Sequence, residues 1–304
     1  MPCSTSKVAP LDLQLETVYR QRGLVPSRGV SYRGIILSQT REDDAYAKFL
    51  LNPRHRKLLR KIARLHADGS DVTIKALENV KGKDEALTAS LKQLCTWGIL
   101  RKASDSVYTP LFLAQDFGPT LEWLVAWWFR HEAASPADWG VRLDEAPGGD
   151  FDVLAQVGER LLYVECKTGR PDQFGLKDVT HFFHRLVWLA PAYGVLLFDT
   201  EEGLDPVIER LSREWDKCVP PDAPNQPRSR LFGEDRFRKW KWDGVWECRV
   251  DWFNLANAQP SLERNLRGSL KVAASAPVLT SGQTVGRLGG RTEEDFTWLF
   301  QLFS

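Results

Sequence analysis

The feature that most constrains the fold is an apolar segment, Leu161–Thr168, that carries opposite charges in its interior. The segment reads LLYVECKT and is apolar on both faces of an extended chain, as is typical of a central strand in a domain core. Glu165 and Lys167 belong in such a strand only if something compensates them, because burying a charge is costly. Side chains alternate along a strand, so both project from the same face. We therefore expect a buried strand with functional charges on one side.

A second carboxylate is predicted beside Glu165. Asp152 opens the preceding extended segment, and Val157-Gly158-Glu159 predicts the tight turn that joins the two segments into a hairpin. Adjacent carboxylates repel each other unless a cation lies between them, and a divalent metal ion is the simplest such cation. Lys167 would then be close enough to contact whatever the metal activates.

A helix precedes the hairpin and carries a third acid. The segment Phe117–His131, FGPTLEWLVAWWFRH, has a helical pattern with an aromatic core face and with Pro119 near its start. Glu122 is predicted in the first turn. The sequence thus contains, in order, a helix with Glu, a strand with Asp and a strand with Glu-x-Lys.

This order of elements resembles the PD-(D/E)xK nuclease superfamily. The resemblance covers about Gly118 to Thr200, with a weaker echo at Asn257 to Leu270. An E-x-K triplet alone is expected about once by chance in a chain of this length, so the specificity comes from the order of the elements. The stretches FDVL and LLYVECKTG are most similar to the nuclease domain of CRISPR-ancillary effectors. The resemblance implies an α/β fold with a restriction-endonuclease-like mixed sheet flanked by helices.

The same resemblance implies roles for individual residues. Asp152 and Glu165 are expected to bind Mg²⁺ or Mn²⁺, Lys167 to assist the attacking water, and Glu122 to complete the acidic cluster. The backbone carbonyl of Cys166 is a further expected metal ligand. The implied function is a metal-dependent endonuclease that hydrolyses phosphodiester bonds in nucleic acid, in a defence or DNA-processing role. DNA is favoured over RNA as the substrate, although relatives in the superfamily cut DNA, RNA or both. The alternative is a nucleic-acid-binding or scaffold protein with a catalytically silent nuclease fold, in which Glu165 and Lys167 form a structural salt bridge.

Residues 53–115 have the pattern of a winged-helix-like α+β module. Three predicted helices start at Pro53, Ile74 and Asp84, and two short strands follow. Such a module either binds a duplex through its third helix or serves as a structural or dimer-forming linker. Asp84 and Glu85 open the third helix, where phosphate would repel them, whereas the first helix is strongly basic.

The winged-helix-like module and the nuclease-like segment define the remaining domain boundaries. Residues 1–52 are predicted to be an N-terminal arm, residues 116–280 the nuclease domain and residues 281–304 a C-terminal tail. Within the arm, Gly29–Ser38 (GVSYRGIILS) predicts a strand.

Basic residues outside the acidic cluster are candidates for nucleic-acid contact. Some precede or lie on the helix predicted at Leu176–Ala190, and others alternate with Trp in the segment RFRKWKW, a pattern typical of single-strand binding. The alternative for the second group is an amphipathic strand with Trp inward and Lys outward. The candidates are Arg170, His184, Arg185, Arg238, Lys239 and Lys241.

Composition limits the remaining possibilities. A formal charge of +1 gives no global attraction to nucleic acid, so any basic surface must be local. Five cysteines without CxxC pairing indicate a reduced, cytoplasmic protein. The sequence predicts neither a signal peptide nor a membrane span. A homodimer or a partner protein is the expected assembly.

Overall fold

The computed structural model describes residues 8–27, 30–32, 34–40, 42–77, 84–146, 149–158, 160–189, 191–200, 202–207, 209–211, 238–242 and 246–254. Within these residues the protein has a mixed α/β fold. The predicted tail at 281–304, the last part of the predicted nuclease domain and the echo at Asn257 to Leu270 lie outside the described residues.

The first described elements are short strands and two helices. The elements are β1 (Val8–Ala9), α1 (Leu13–Gln21), β2 (Val30–Ser31) and α2 (Asp43–Leu50). The side chain of Asp12 caps α1 by accepting a hydrogen bond of 2.9 Å from the amide of Gln14.

The strand predicted at Gly29–Ser38 is wrong for most of its described length, because among residues 30–32 and 34–38 only β2 pairs as a strand. Ile36 finds its backbone partners elsewhere. Its amide donates to Oγ1 of Thr120 at 2.9 Å, and its carbonyl accepts from the hydroxyl of Tyr46 at 2.8 Å. Side chains of two helices thus satisfy this buried backbone in place of a neighbouring strand.

Next come three helices and a small antiparallel sheet. The elements are α3 (Pro53–Ala67), β3 (Val72–Thr73), α4 (Ile74–Leu77), α5 (Asp84–Thr96), β4 (Leu100–Lys102) and β5 (Val107–Pro110). The strands form a three-stranded sheet in the order β3-β5-β4. The three helices and the last two strands lie where the sequence predicts them, and β3 is an additional strand.

The remaining described elements build a six-stranded sheet with helices. They are α6 (Gly118–Glu132), β6 (Ala137–Val141), β7 (Phe151–Val157), β8 (Arg160–Lys167), α7 (Leu176–Leu189), β9 (Tyr193–Phe198), β10 (Arg238–Trp242) and β11 (Trp246–Asn254). The strand order is β10-β11-β9-β8-β7-β6.

This sheet is mixed, and β8 lies in its interior. β8 pairs antiparallel with β7 and parallel with β9, which confirms the predicted crossover through α7. Gly194 of β9 allows α7 close to the sheet, because a Cβ there would lie 2.5 Å from Cδ2 of Leu186. The buried apolar residues of the N-terminal helices and of this sheet belong to one core. For example, the ring of Tyr46 on α2 stacks on that of Trp123 on α6, with centroids 5.9 Å apart.

Candidate functional site

The β7–β8 hairpin brings Asp152 next to Glu165. Val153 pairs with Val164, so Asp152 and Glu165 are the next residues along the two strands. The amide of Cys166 donates a hydrogen bond of 2.7 Å to Oδ2 of Asp152. The strands meet in a tight turn in which Gly158 has a φ of +61°, a left-handed conformation that favours glycine.

Glu165 is held by three donors and is 6% exposed. Its Oε1 lies 2.8 Å from Nζ of Lys167, and its Oε2 lies 2.8 Å from a guanidinium nitrogen of Arg185 on α7. The hydroxyl of Tyr163 also donates to Oε2. Residues 163, 165 and 167 therefore share one face of β8, as alternation along the strand requires. Burial raises the pKa of Glu165, but the cations of Lys167 and Arg185 outweigh it, so that the pKa falls below its ordinary value.

The neighbouring acids are shifted in the opposite direction. Burial and the charge of Glu165 raise the pKa of Asp152 to about 8, although Lys167 and the Cys166 amide favour its ionised form. Burial also raises the pKa of Glu122 well above its ordinary value, with further contributions from the charges of Asp152 and Glu165. Burial and mutual repulsion thus favour the neutral forms of Asp152 and Glu122.

Glu122 approaches the cluster from α6. This helix begins at Gly118, whose amide donates to the carboxylate of Asp116 at 2.8 Å, and its first turn holds no acidic residue. Glu122 consequently lies in the second turn, and its predicted place in the first turn is wrong. The charges of Asp152 and Glu165 nevertheless contribute to the raised pKa of Glu122, so its carboxylate lies within electrostatic range of both.

The donor chemistry at the cluster suits a hard divalent cation. The carboxylates of Asp152, Glu165 and Glu122 supply oxygen donors of the kind that Mg²⁺ and Mn²⁺ bind. Ammonium and guanidinium groups occupy the oxygens of Glu165, and in the described part of the chain no three or more His, Cys, Asp or Glu side chains are arranged to hold a metal ion. A metal would therefore have to compete with Lys167 or Arg185 for Glu165.

The basic candidates are distributed over several places. Arg185 lies in the acidic cluster itself and is buried. Arg170 is exposed and pairs with Asp172 at 3.1 Å and Glu202 at 3.4 Å. His184 lies on α7, where burial and the charge of His181 lower its pKa.

Strand β10 carries the other candidates, Arg238, Lys239 and Lys241. Among the described strands it lies at the edge of the sheet. β11 and β9 separate it from β8, which at ordinary strand spacing corresponds to about 14 Å. Of the predicted nucleic-acid contacts, the structure thus brings Arg185 directly to the acids.

Sequence reasoning missed Tyr163 and a buried ion pair behind the site. Tyr163 shares the i, i+2 alternation of Glu165 and Lys167, and that signal could have revealed it. The second feature joins α3 to the end of β9, where Asp199 accepts hydrogen bonds from Nε of Arg56 at 3.0 Å and from Arg60. Arg56 is fully buried and also donates to the carbonyls of Leu50 and Leu51. No local pattern in the sequence links residues this far apart.

Asp199 connects this ion pair to the acidic cluster. Its amide donates to the carbonyl of Lys167 at 2.8 Å. The residue that anchors α3 is therefore hydrogen-bonded to the residue whose ammonium group contacts Glu165.

Comparison with known protein families and with curated proteins finds no match. Among solved structures, the chain is similar to protein VC1899 from Vibrio cholerae, with 14% identity and a TM-score of 0.43. The match covers 88% of this chain and 59% of that one, so the chain spans well under two thirds of that protein. A likeness at this level supports no conclusion about fold family or activity. Among the described residues, no helix has both the length and the apolar character needed to cross a membrane.

Proposed function

We propose that the protein is a metal-dependent endonuclease of the PD-(D/E)xK type, with a restriction-endonuclease-like core and a winged-helix-like module before it. The observation that carries the proposal is the arrangement on one hairpin of Asp152, Glu165 and Lys167. Glu122 on α6 joins the same electrostatic cluster. The proposed substrate is DNA, and the proposed setting is defence or DNA processing in the cytoplasm.

Each residue then has a defined task. Asp152, Glu165 and Glu122 would hold Mg²⁺ or Mn²⁺, with the carbonyl of Cys166 as a further oxygen ligand. When bound, the ion supplies Lewis-acid polarisation of the phosphodiester and lowers the pKa of water. Lys167 donates to the attacking water or to the negative charge that develops on phosphate oxygens.

Arg185 and Tyr163 have a positioning role in this proposal. Both bind Oε2 of Glu165 and leave Oε1 toward Lys167. Their hydrogen bonds fix the orientation of the carboxylate, which matters because catalysis depends strongly on the alignment of reacting groups.

A catalytically silent fold is the second candidate function. The observation in its favour is that cations of the protein already neutralise Glu165 on both oxygens. In that case the hairpin charges stabilise the core, and the protein binds nucleic acid or acts as a scaffold, as a homodimer or with a partner protein.

Cleavage assays separate the two functions. Supercoiled plasmid and labelled single strands are incubated with Mn²⁺ and with the wild type, Asp152→Ala or Lys167→Ala. Lys102→Ala is a matched control, because Lys102 is half exposed on β4 and pairs with Asp105. We expect cutting by the wild type and the control, and a loss of at least about 100-fold in both site variants. An inert wild type would support the silent fold, and site variants that cut as well as the wild type would refute the assignment of catalysis to this cluster.

A further inference from the structure

Helix α3 has a strongly basic flank and no acidic residue. At 3.6 residues per turn, four of its basic side chains fall within an arc of about 80°. Arg54 and Arg64 are exposed, and Lys57 and Lys61 are half-buried. These four residues, Arg54, Lys57, Lys61 and Arg64, are called the basic flank below.

The other sides of α3 fix the helix in place. Leu58, Leu59 and Ile62 are buried in the core. Arg56 and Arg60 bind Asp199 at the end of β9. Since these contacts hold the helix on both sides, the basic flank keeps a fixed position relative to the sheet.

The basic flank is connected to the acidic cluster through Asp199. Arg60 is adjacent to Lys61 along the helix, and its partner Asp199 is hydrogen-bonded through its amide to Lys167. From Arg54 to Arg64 the helix rises about 15 Å. Phosphates of one strand of a duplex lie about 3.4 Å apart along the axis, so the flank has the length of about four phosphates.

A winged helix usually contacts a duplex through its third helix, but here the charge distribution favours contact through the first helix, α3. The third helix, α5, opens with Asp84 and Glu85 and offers Lys92 as its one cation. A polyanion would be repelled at the start of α5 and attracted by α3. The net charge of +1 for the whole chain makes the cationic character of α3 a local property.

We propose that the basic flank of α3 binds the phosphate backbone of the nucleic acid whose scissile bond lies at the acidic cluster. The identity of this ligand rests on the proposed nuclease function. The contacts are to phosphate, so they position the strand and carry no base specificity.

Binding measured without cleavage tests the inference. Fluorescence anisotropy of labelled duplex and single-stranded oligonucleotides is recorded in EDTA across a salt series. The test variant is Lys57→Gln/Lys61→Gln/Arg64→Gln. The matched control is Lys75→Gln/Lys92→Gln/Arg101→Gln, which removes three exposed charges from α4, α5 and β4. Thermal unfolding verifies that both variants are folded.

We expect the test variant to bind at least about tenfold more weakly at 0.1 M salt, and the control to bind like the wild type. The slope of log K against log salt should decrease in magnitude by about 2 to 3 in the test variant, as the loss of three phosphate contacts requires. Wild-type protein that binds no oligonucleotide, equal losses in both variants, or loss in the control alone would overturn the inference.

The assay also distinguishes the inference from the proposed function. Binding in EDTA reports the phosphate contacts of the flank, whereas cleavage with Mn²⁺ reports the acidic cluster, so the two are separate readouts. If the protein binds through the flank but never cuts with Mn²⁺, the proposed nuclease function is refuted and the binding role of the flank is retained.

Discussion

The amide of Cys166 donates a hydrogen bond to Oδ2 of Asp152 at 2.7 Å, across the β7–β8 hairpin. This bond ties the carboxylate of one strand to the strand that carries Glu165. Hydrogen bonds to ionised acceptors are the strong ones in proteins, and this bond favours the charged form of Asp152 against burial and repulsion. The fold itself therefore holds the two acids side by side.

Divalent metal should stabilise the wild-type protein. Relief of the repulsion among Asp152, Glu165 and Glu122 is the physical reason. At 100 times the dissociation constant, binding adds about 2.7 kcal/mol to the free energy of unfolding. Thermal unfolding with increasing Mn²⁺ measures this, and Glu165→Gln should abolish the increase. Asp105→Asn, an exposed acid on the turn after β4, should respond like the wild type, and a response that survives in Glu165→Gln would refute this assignment.

Two tyrosine variants test whether the hydrogen bond to Glu165 contributes to the free energy of unfolding. The hydroxyl of Tyr163 donates to the buried carboxylate of Glu165, and a bond to a charged group contributes about 1.5–3 kcal/mol. Tyr163→Phe should lower the free energy of unfolding by this amount in urea denaturation. Among the described residues, the buried hydroxyl of Tyr19 has no hydrogen-bond partner. Tyr19→Phe should therefore be neutral or stabilising, and an equal loss in both variants would contradict the role of Tyr163.

Arg56→Met should destabilise the protein strongly. Arg56 is fully buried and shares Asp199 with Arg60, so its removal leaves the carboxylate underneutralised in the core. Breaking a buried pair from one side costs about 3–5 kcal/mol. Chemical denaturation measures the change. Arg54→Met, on the exposed side of the same helix, should change stability by less than about 0.5 kcal/mol, and similar values for both would refute the buried ion pair.

Asp138 on β6 should make stability depend on pH. Burial raises its pKa from 3.8 to about 6, against the favourable amide of Asp12 and the charge of Arg130. Since the folded pKa is the higher one, ionisation opposes folding: stability falls as pH rises from about 4 to 6 and is level above that. The loss is on the order of 3 kcal/mol.

Asp138→Asn lacks this titration. The stability of the variant relative to the wild type should rise between pH 4 and pH 7 by a similar amount, as measured by urea denaturation at each pH. A constant difference across this range would show that Asp138 does not titrate there.

The strand pattern predicted the central hairpin because alternation depends on neighbouring residues alone. Apolar content on both faces of Leu161–Thr168 marked β8 as an interior strand, and the turn at Gly158 set its pairing with β7. The role of Arg185 was harder to predict. Its helical spacing indicated phosphate contact, whereas in the structure its guanidinium binds Glu165. The partner of a buried cation depends on tertiary packing.

Long-range contacts also explain why the strand predicted at Gly29–Ser38 is wrong and why the ion pair of Arg56 and Asp199 was not predicted. Apolar residues at 35 and 36 have the periodicity of a strand, but Thr120 and Tyr46 satisfy the backbone of Ile36. Arg56 and Asp199 are likewise distant in sequence, and a basic helix gives no sign of which of its arginines is buried. The arrangement of side chains was therefore predictable where it lies on one hairpin, and not where it depends on contacts between remote elements.

The buried pair of Arg56 and Asp199 also affects how the chain can be divided. A fragment that starts at residue 116 would keep Asp199 but lose both of its guanidinium partners. The carboxylate of Asp199 at the end of β9 would then lie in the core without either of these ion pairs. Truncation or fusion designs that remove the N-terminal helices would thus also remove contacts that stabilise the sheet.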